Sequence, residues 1–285
     1  MDRCGGRIGD VSGVPSVRGR LIELAQHDAA ANMAIDEALL NSVAMGAPPT
    51  LRFYGWKRPT LSLGYFQPLA EAKAWAERTG IALGADGDVD LVRRSTGGGA
   101  ILHHAELTLS LTLPMNVSDT GAREATYRNV HEAIADELKL LGVDAKPFRT
   151  LGTSAVSRSE ADAAVPAKAS KGDEPFLCFQ RRTDEDLIVS GYKVLGSAQR
   201  RTKGALLQHG SLLWSVSRHA DVLPGMQQLA GRQLNLEAFI RGLKRRLETI
   251  FGIDWQSGSL ESTELEAAEQ IVTQRYGNPD WTAKR

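Results

Sequence analysis

Arg93-Arg94-Ser95-Thr96-Gly97-Gly98-Gly99-Ala100-Ile101-Leu102-His103 is the stretch on which the reading of this chain turns. Leu91–Arg94 reads as a strand running into the glycines, and Ala100–Leu102 reads as a strand leaving them. No helix follows, so the run is not a dinucleotide-binding fingerprint. No Gly-Lys-Ser/Thr follows either, so it is not a Walker loop. Three consecutive glycines let the backbone take φ > 0 and approach a ligand closely. They also bare N–H groups that can hold a carbonyl or an anion. A plain flexible turn uses the same residues, and the loop alone does not separate the two readings.

Outward from the loop the chain alternates strands and helices. Leu107–Leu113 alternates Leu with Thr or Ser, the pattern of a half-buried strand. Upstream, Leu51–Tyr54 and Thr60–Tyr65 flank the turn Lys57-Arg58-Pro59 and suggest a hairpin. Asp28 can cap a helix over Ala29–Ser42, with Ala34, Ile35, Ala38 and Leu39 as its apolar stripe and Asp36 and Glu37 directed away from it. Helices are also expected over 68–82 and over 124–141, the latter ending at Gly142. Leu187–Val189, Ser190-Gly191 and Tyr192–Leu195 read as a two-residue hairpin, and Ala205–Trp214 as a further strand. From Leu236 the period is helical again. The reading is an α/β fold, a mixed sheet flanked by helices. A disordered tail covers 1–19, one domain covers 20–255, and a small helical C-terminal extension covers 256–285. Residues 151–174, rich in Ala, Ser, Lys and acidic side chains, read as a mobile surface insertion.

Composition excludes several classes of function. Lys+Arg and Asp+Glu both number 34, so the net charge is zero and the basic excess usual for nucleic-acid binding is missing. Any basic surface is local, with Arg181, Arg182, Arg200, Arg201 and Lys203 as its candidate. The two cysteines, Cys4 and Cys178, make neither a disulfide framework nor a zinc site. No apolar run reaches a membrane span, and Met1–Arg20 lacks a secretory h-region. A cytoplasmic protein with reduced thiols is expected.

Few residues could carry chemistry. Cys178 sits in the apolar run Phe176-Leu177-Cys178-Phe179, where a small buried thiol is the ordinary reading. It also abuts the polar insertion, with Arg181, Arg182 and Lys193 near enough in sequence to favour a thiolate. Cys4 has no such setting. Lys193 opens Lys193-Val194-Leu195-Gly196-Ser197-Ala198; it is either an exposed strand lysine or a functional one, and the small residues after it leave room for a ligand chain. His209, in Gln208-His209-Gly210-Ser211, reads as a structural histidine or a base. His103 and His104 face opposite ways on a strand and are poor joint metal ligands.

The motifs Asn32-Met33-Ala34-Ile35-Asp36-Glu37, Arg93 to His103, Lys193 to Gln199 and Gln208 to Ser211, in that order, resemble the lipoate–protein ligase A / biotin ligase superfamily over about residues 20–280. Within it the chain is similar to the LipM-type octanoyltransferases, whose mark is a Cys-Phe pair 15 residues ahead of the motif lysine (193 − 178 = 15). Gly99 stands where many of those sequences carry a larger residue. The resemblance implies the biotin/lipoate protein ligase catalytic fold. It also implies that the thiolate of Cys178, activated by Lys193, takes octanoate from octanoyl-acyl-carrier protein. The acyl group would pass to a lysine of a lipoyl domain such as the H protein of the glycine cleavage system. Arg93, Arg94, Gly97, Gly98 and Gly99 would line the acyl channel and hold the carbonyl, with His103, Gly196, Ser197, Ala198 and His209 also contributing to the substrate site. No metal, cofactor, nucleic acid or membrane is implied, and a monomer is expected. The alternative on the same fold is an ATP- and Mg-dependent lipoate–protein ligase working through lipoyl-adenylate, to which a nucleophilic cysteine would be superfluous. A non-catalytic binding protein is the third reading, and the intact motifs speak against it.

Overall fold

Two sheets carry the molecule. The larger has eight strands: β1 (Val17–His27), β2 (Thr50–Trp56), β6 (Leu107–Met115), β7 (Lys146–Pro147), β8 (Leu187–Val189), β9 (Tyr192–Arg201), β10 (Gly204–Leu212) and β11 (Ile253–Ser257). Their order is β11-β1-β2-β6-β10-β9-β8-β7. The two pairings of β1 are parallel and the remaining ones antiparallel, so the sheet is mixed as expected. The smaller sheet, in the order β4-β3-β5, is built from β3 (Thr60–Leu63), β4 (Asp90–Arg93) and β5 (Ile101–His103). The computed structural model describes residues 17–116, 118–151 and 175–285. Cys4, the tail up to residue 16 and the expected insertion from residue 152 lie outside the described residues.

Helices cover both faces of the large sheet. On one face α3 (Ala122–Leu140) and α5 (Leu236–Phe251) bring Val130, Ile134, Leu138, Phe239, Leu243 and Leu247 onto Leu107, Leu109, Leu111 and Leu113 of β6. On the other, α1 (Ala29–Ala44) packs Met33, Ala34, Ile35, Ala38 and Leu39 against Tyr54 and Trp56. β6 is therefore buried on both faces rather than half-buried. Its Thr108, Ser110 and Thr112 face is covered rather than solvated, and this places polar groups inside the fold. A third cluster joins the small sheet and α2 (Leu69–Thr79) to Leu177 and Phe179. Among the described residues no helix is long and apolar enough to cross a membrane.

Four expectations change. Residues 17–19 belong to β1, not to a tail. Leu51–Tyr54 and Thr60–Tyr65 do not pair; β2 lies between β1 and β6, and β3 pairs with β4 and β5. The boundary at 255 cuts β11, which pairs with β1, while α6 (Ser262–Ile271) contributes Ala268 to the cluster under α1. The C-terminal residues thus complete the core instead of hanging from it. Asp36 and Glu37, directed away from the apolar stripe of α1, are nonetheless buried, because each meets charged partners brought from distant strands and helices. The Ser190-Gly191 hairpin forms as read, with φ of 49° and 84° at its two turn residues.

Candidate active site

Cys178 does not lie on a strand. It opens a short 3-10 turn, Cys178–Gln180, pinned to the exit of the glycine loop. Its N–H donates to the Ala100 carbonyl at 2.7 Å, and the Ala100 N–H donates to the Phe176 carbonyl at 3.2 Å. Gly99 eases this approach: a Cβ there would stand 3.1 Å from Cys178 Cα and 3.2 Å from its nitrogen, so the Cys178 backbone would have to give by a few tenths of an ångström. Cys178 itself is half-buried.

The β8–β9 hairpin delivers Lys193 to the same place. Its Nζ donates to Cys178 Sγ at 3.5 Å and to the Cys178 carbonyl at 3.3 Å. It also pairs with Asp186 Oδ2 at 2.8 Å, with both side chains 2% exposed. A buried ammonium persists only when paired, and Asp186 supplies that pairing. Asp186 is itself fixed, accepting the Thr183 N–H at 2.7 Å. Gly196 leaves the space that the lysine fills, since a Cβ there would stand 2.8 Å from Lys193 Cε.

The sequence reading passes over Asp186, yet a signal was present. Asp186 immediately precedes β8 of the hairpin that carries Lys193, two residues ahead of Ile188, which pairs with the lysine.

A narrow pocket, with a cavity volume of about 30 Å³, opens beside Cys178. Met33, Tyr54, Trp56 and Ile101 supply its apolar lining, and the backbones of Gly97, Gly98, Gly196, Ser197, Ala198 and Gly210 bound it closely. Its lining suits a small apolar chain. The N–H groups of Gly97 and Gly98, which line the pocket, have no hydrogen-bond acceptor among the described residues.

The polar residues around the pocket form two buried rows. In the first, Arg94 Nη1 donates to Ser62 Oγ at 2.7 Å, and its Nη2 holds the Gly97 and Gly99 carbonyls at 3.1 and 3.0 Å. Ser62 Oγ meets His103 Nε2 at 2.7 Å, and His103 Nδ1 meets Glu106. Trp56 stacks on the His103 ring with centroids 3.9 Å apart. Burial pushes the Arg94 guanidinium down to about 10 and keeps the His103 imidazole below its ordinary value. In the second row, His209 Nε2 meets Thr96 Oγ1 at 2.9 Å while its Nδ1 lies 3.4 Å from Asp36. Asp36 is held by Arg52 at 2.7 Å and accepts from Tyr54 and Ser110, each at 2.9 Å. Burial alone would raise the Asp36 carboxyl, but Arg52, His209 and Ser110 together bring it below its ordinary range.

Ser197 is locked from α3. Its hydroxyl meets His131 Nε2 at 2.7 Å, its carbonyl accepts from Tyr127 OH at 3.0 Å, and His131 Nδ1 donates to the Glu185 carbonyl at 2.6 Å. Burial pushes His131 down to about 4, so the ring is neutral at pH 7. The sequence reading did not single out His131 or Tyr127; on α3 they look like ordinary helix residues.

Cys178, Arg94, Gly97, Gly98, His103, Gly196, Ser197, Ala198 and His209 all line the one pocket, and Lys193 reaches it through Cys178. Gly99 is not on the lining; it serves the Cys178 backbone. Arg93 departs from the channel role expected of it. Its guanidinium donates to the carbonyls of Gly64, Gln67 and Thr282 at 3.1, 2.6 and 2.8 Å, tying the C-terminal segment to the turn before α2. The two-residue period of a strand sends Arg93 and Arg94 to opposite sides. The same period sends His104 away from His103, to Ser217 at 3.1 Å. Three members of the expected basic cluster are engaged within the fold: Arg181 holds the Pro175 carbonyl, Arg182 the Gly191 carbonyl, and Arg200 pairs with Glu37.

Known proteins resemble this chain. A family model described as the lipoyl protein ligase A/B catalytic domain matches residues 28–228. An octanoyltransferase LipM of Halalkalibacterium halodurans is 32% identical over 289 residues, spanning 93% of this chain and 99% of that relative. An octanoyltransferase LipM of Macrococcus caseolyticus is 40% identical over 287 residues, spanning 89% of this chain and 94% of that relative. Among solved structures, a bi-partite lipoate protein ligase from Thermoplasma acidophilum matches with a TM-score of 0.68 at 21% identity, over 94% of this chain and 96% of that one, a likeness of fold. On the span of the matched domain and the near-complete coverage of these relatives, the chain belongs to the lipoyl protein ligase A/B catalytic domain family and, within it, to the LipM octanoyltransferases.

Proposed function

We propose that this protein transfers octanoate from a carrier-bound thioester to a lysine of a lipoyl domain through an octanoyl thioester on Cys178. The observation that carries the reading is the Lys193 ammonium 3.5 Å from Cys178 Sγ at the edge of an apolar pocket. Octanoyl-acyl-carrier protein is the proposed donor, and the H protein of the glycine cleavage system is a suitable acceptor.

In the first step Cys178 Sγ bonds to the donor carbonyl carbon. The bond from that carbon to the carrier sulfur breaks, and the carrier thiolate leaves to take up a proton. One thioester replaces another, so the step is nearly isoenergetic. In the second step the ε-amine of the acceptor lysine bonds to the same carbon, loses a proton, and expels the Cys178 thiolate beside Lys193. An amide replaces a thioester, so this step runs downhill. In both steps the charge developing on the carbonyl oxygen can be taken by the N–H groups of Gly97 and Gly98 on the pocket wall. Arg94 holds that loop by two of its carbonyls. The donor is already activated, so no ATP is required.

The test is transfer from octanoyl-acyl-carrier protein to a purified lipoyl domain with and without ATP. ATP-independent octanoylation that is lost in Cys178→Ala supports the proposal. Modification only with free octanoate or lipoate plus ATP replaces it with the adenylating ligase.

A further inference from the structure

Lys193 is held from one side by a carboxylate that is absent from the two-residue account of the site. We infer that Asp186 is a positioning residue for Cys178, acting through Lys193. Its carboxylate fixes the lysine rotamer and keeps the ammonium aimed at the sulfur. The inference rests on the reading of Cys178 as the nucleophile.

Every donor of the ammonium is assigned. One goes to Asp186 Oδ2 at 2.8 Å, and the others go to the carbonyl and sulfur of Cys178 at 3.3 and 3.5 Å. A lysine carries four rotatable side-chain bonds, and a weak contact to sulfur would not hold it in one geometry. The short contact to Asp186 does. Asp186 can act as this fixed point because the Thr183 N–H anchors the same oxygen at 2.7 Å and the residue is 1% exposed.

No other group nearby could serve. His131 and Tyr127, on α3, are tied to Glu185 and Ser197, and burial keeps His131 neutral. Glu185 turns its carboxylate to Arg149 at 3.0 Å and Arg128 at 3.4 Å. Arg94, on the pocket side, is cationic. Asp186 is the sole carboxylate paired with Lys193 among the described residues. Without it the lysine becomes an uncompensated buried charge, which either turns away or gives up its proton. Either outcome removes the donor from Cys178.

The experiment is a double-mutant cycle on the full chain. The wild type, Asp186→Asn, Lys193→Met and the double variant are compared in the rate of Cys178 alkylation by iodoacetamide from pH 5 to 9. Single-turnover formation of octanoyl-enzyme from octanoyl-pantetheine is measured alongside. Asp186→Asn is expected to slow octanoyl-enzyme formation by about tenfold or more, the loss of one charge-assisted hydrogen bond, with little change in KM. It also moves the alkylation profile to higher pH, and Asp186→Glu restores part of the rate. In the Lys193→Met background the same substitution changes the alkylation rate by less than about twofold. The double variant removes both charges together, which folds more readily than stranding one. Wild-type alkylation in Asp186→Asn, or an undiminished loss in the Lys193→Met background, overturns the positioning role. Full octanoyl transfer by Cys178→Ala would instead overturn the nucleophile reading beneath it.

Discussion

Replacing Gly196 by Ala adds one methyl group at a point where there is no room for it. The new Cβ would stand 2.8 Å from Lys193 Cε and 3.1 Å from Nζ, with Asp186 Oδ1 at 3.7 Å behind. Carbon atoms in comfortable contact sit about 3.5–4.0 Å apart. Cε must therefore retreat by roughly 0.7–1.2 Å. Nζ cannot follow that movement and keep both its 2.8 Å contact to Asp186 and its 3.5 Å contact to Cys178. The contact to sulfur is the longer and yields first. Losing a hydrogen bond to a charged group costs about 1.5–3 kcal/mol, which is about 10- to 150-fold in rate. Backbone strain is not part of this effect, because position 196 has no positive φ and pairs regularly with Ser211. The assay is the pre-steady-state burst of octanoyl-enzyme from octanoyl-acyl-carrier protein, with thermal melting to show that the variant is folded. A folded Gly196→Ala enzyme with a wild-type burst rate would refute the claim that the Lys193 contact to Cys178 drives the first step.

Other substitutions reach the two buried rows and the α3 contact. Arg94→Lys keeps a charge but cannot hold Ser62 and the Gly97 and Gly99 carbonyls at once; kcat/KM should fall about tenfold or more, measured in steady-state transfer. Asp36→Ala strands the Arg52 guanidinium, 1% exposed, and should cost about 3–5 kcal/mol in urea unfolding. The Asp36 carboxyl lies below its ordinary range when folded, so its stabilisation is present above about pH 4 and is lost as pH falls through the lowered folded value. Acid unfolding of the wild type should reflect this. His131 is held at about 4 against an ordinary 6.5. Its contribution is full above the unfolded value and is lost as pH falls toward the folded one, on the order of 3 kcal/mol. His131→Gln should flatten the dependence of unfolding free energy on pH between about 6.5 and 4, and an unchanged slope would contradict the neutral, buried ring.

The sequence made the site legible wherever the signal was local or carried by ordered motifs. The resemblance to the LipM-type family marks Cys178 and Lys193, and the Ser190-Gly191 turn is marked by its chemistry. What stayed hidden depends on partners far along the chain. Asp36 and Glu37 are legible only as residues off the apolar stripe of a helix; their partners include Arg52 and Ser110 on β2 and β6, and Arg275 and Tyr276 near the C-terminus. The Lys57-Arg58-Pro59 turn looked like a hairpin because nothing local says that β2 belongs beside β1 and β6 while β3 joins the small sheet. β11 is five residues between two helices, too short to give a period of its own. The resemblance implies a channel role for both Arg93 and Arg94, whereas strand alternation places them on opposite sides and Arg93 faces the C-terminal segment.

The most direct measurement concerns the intermediate itself. The enzyme is mixed with octanoyl-acyl-carrier protein without acceptor, quenched at acid pH, digested and mapped by mass spectrometry. The octanoyl-enzyme is also isolated by gel filtration and challenged with a lipoyl domain in the absence of ATP. The expected result is one hydroxylamine-labile octanoyl group on the peptide containing Cys178, discharged to the acceptor lysine at a rate no slower than turnover. An enzyme that octanoylates the acceptor yet carries no acyl group on Cys178, or whose acyl group is not passed on, would contradict the cysteine route.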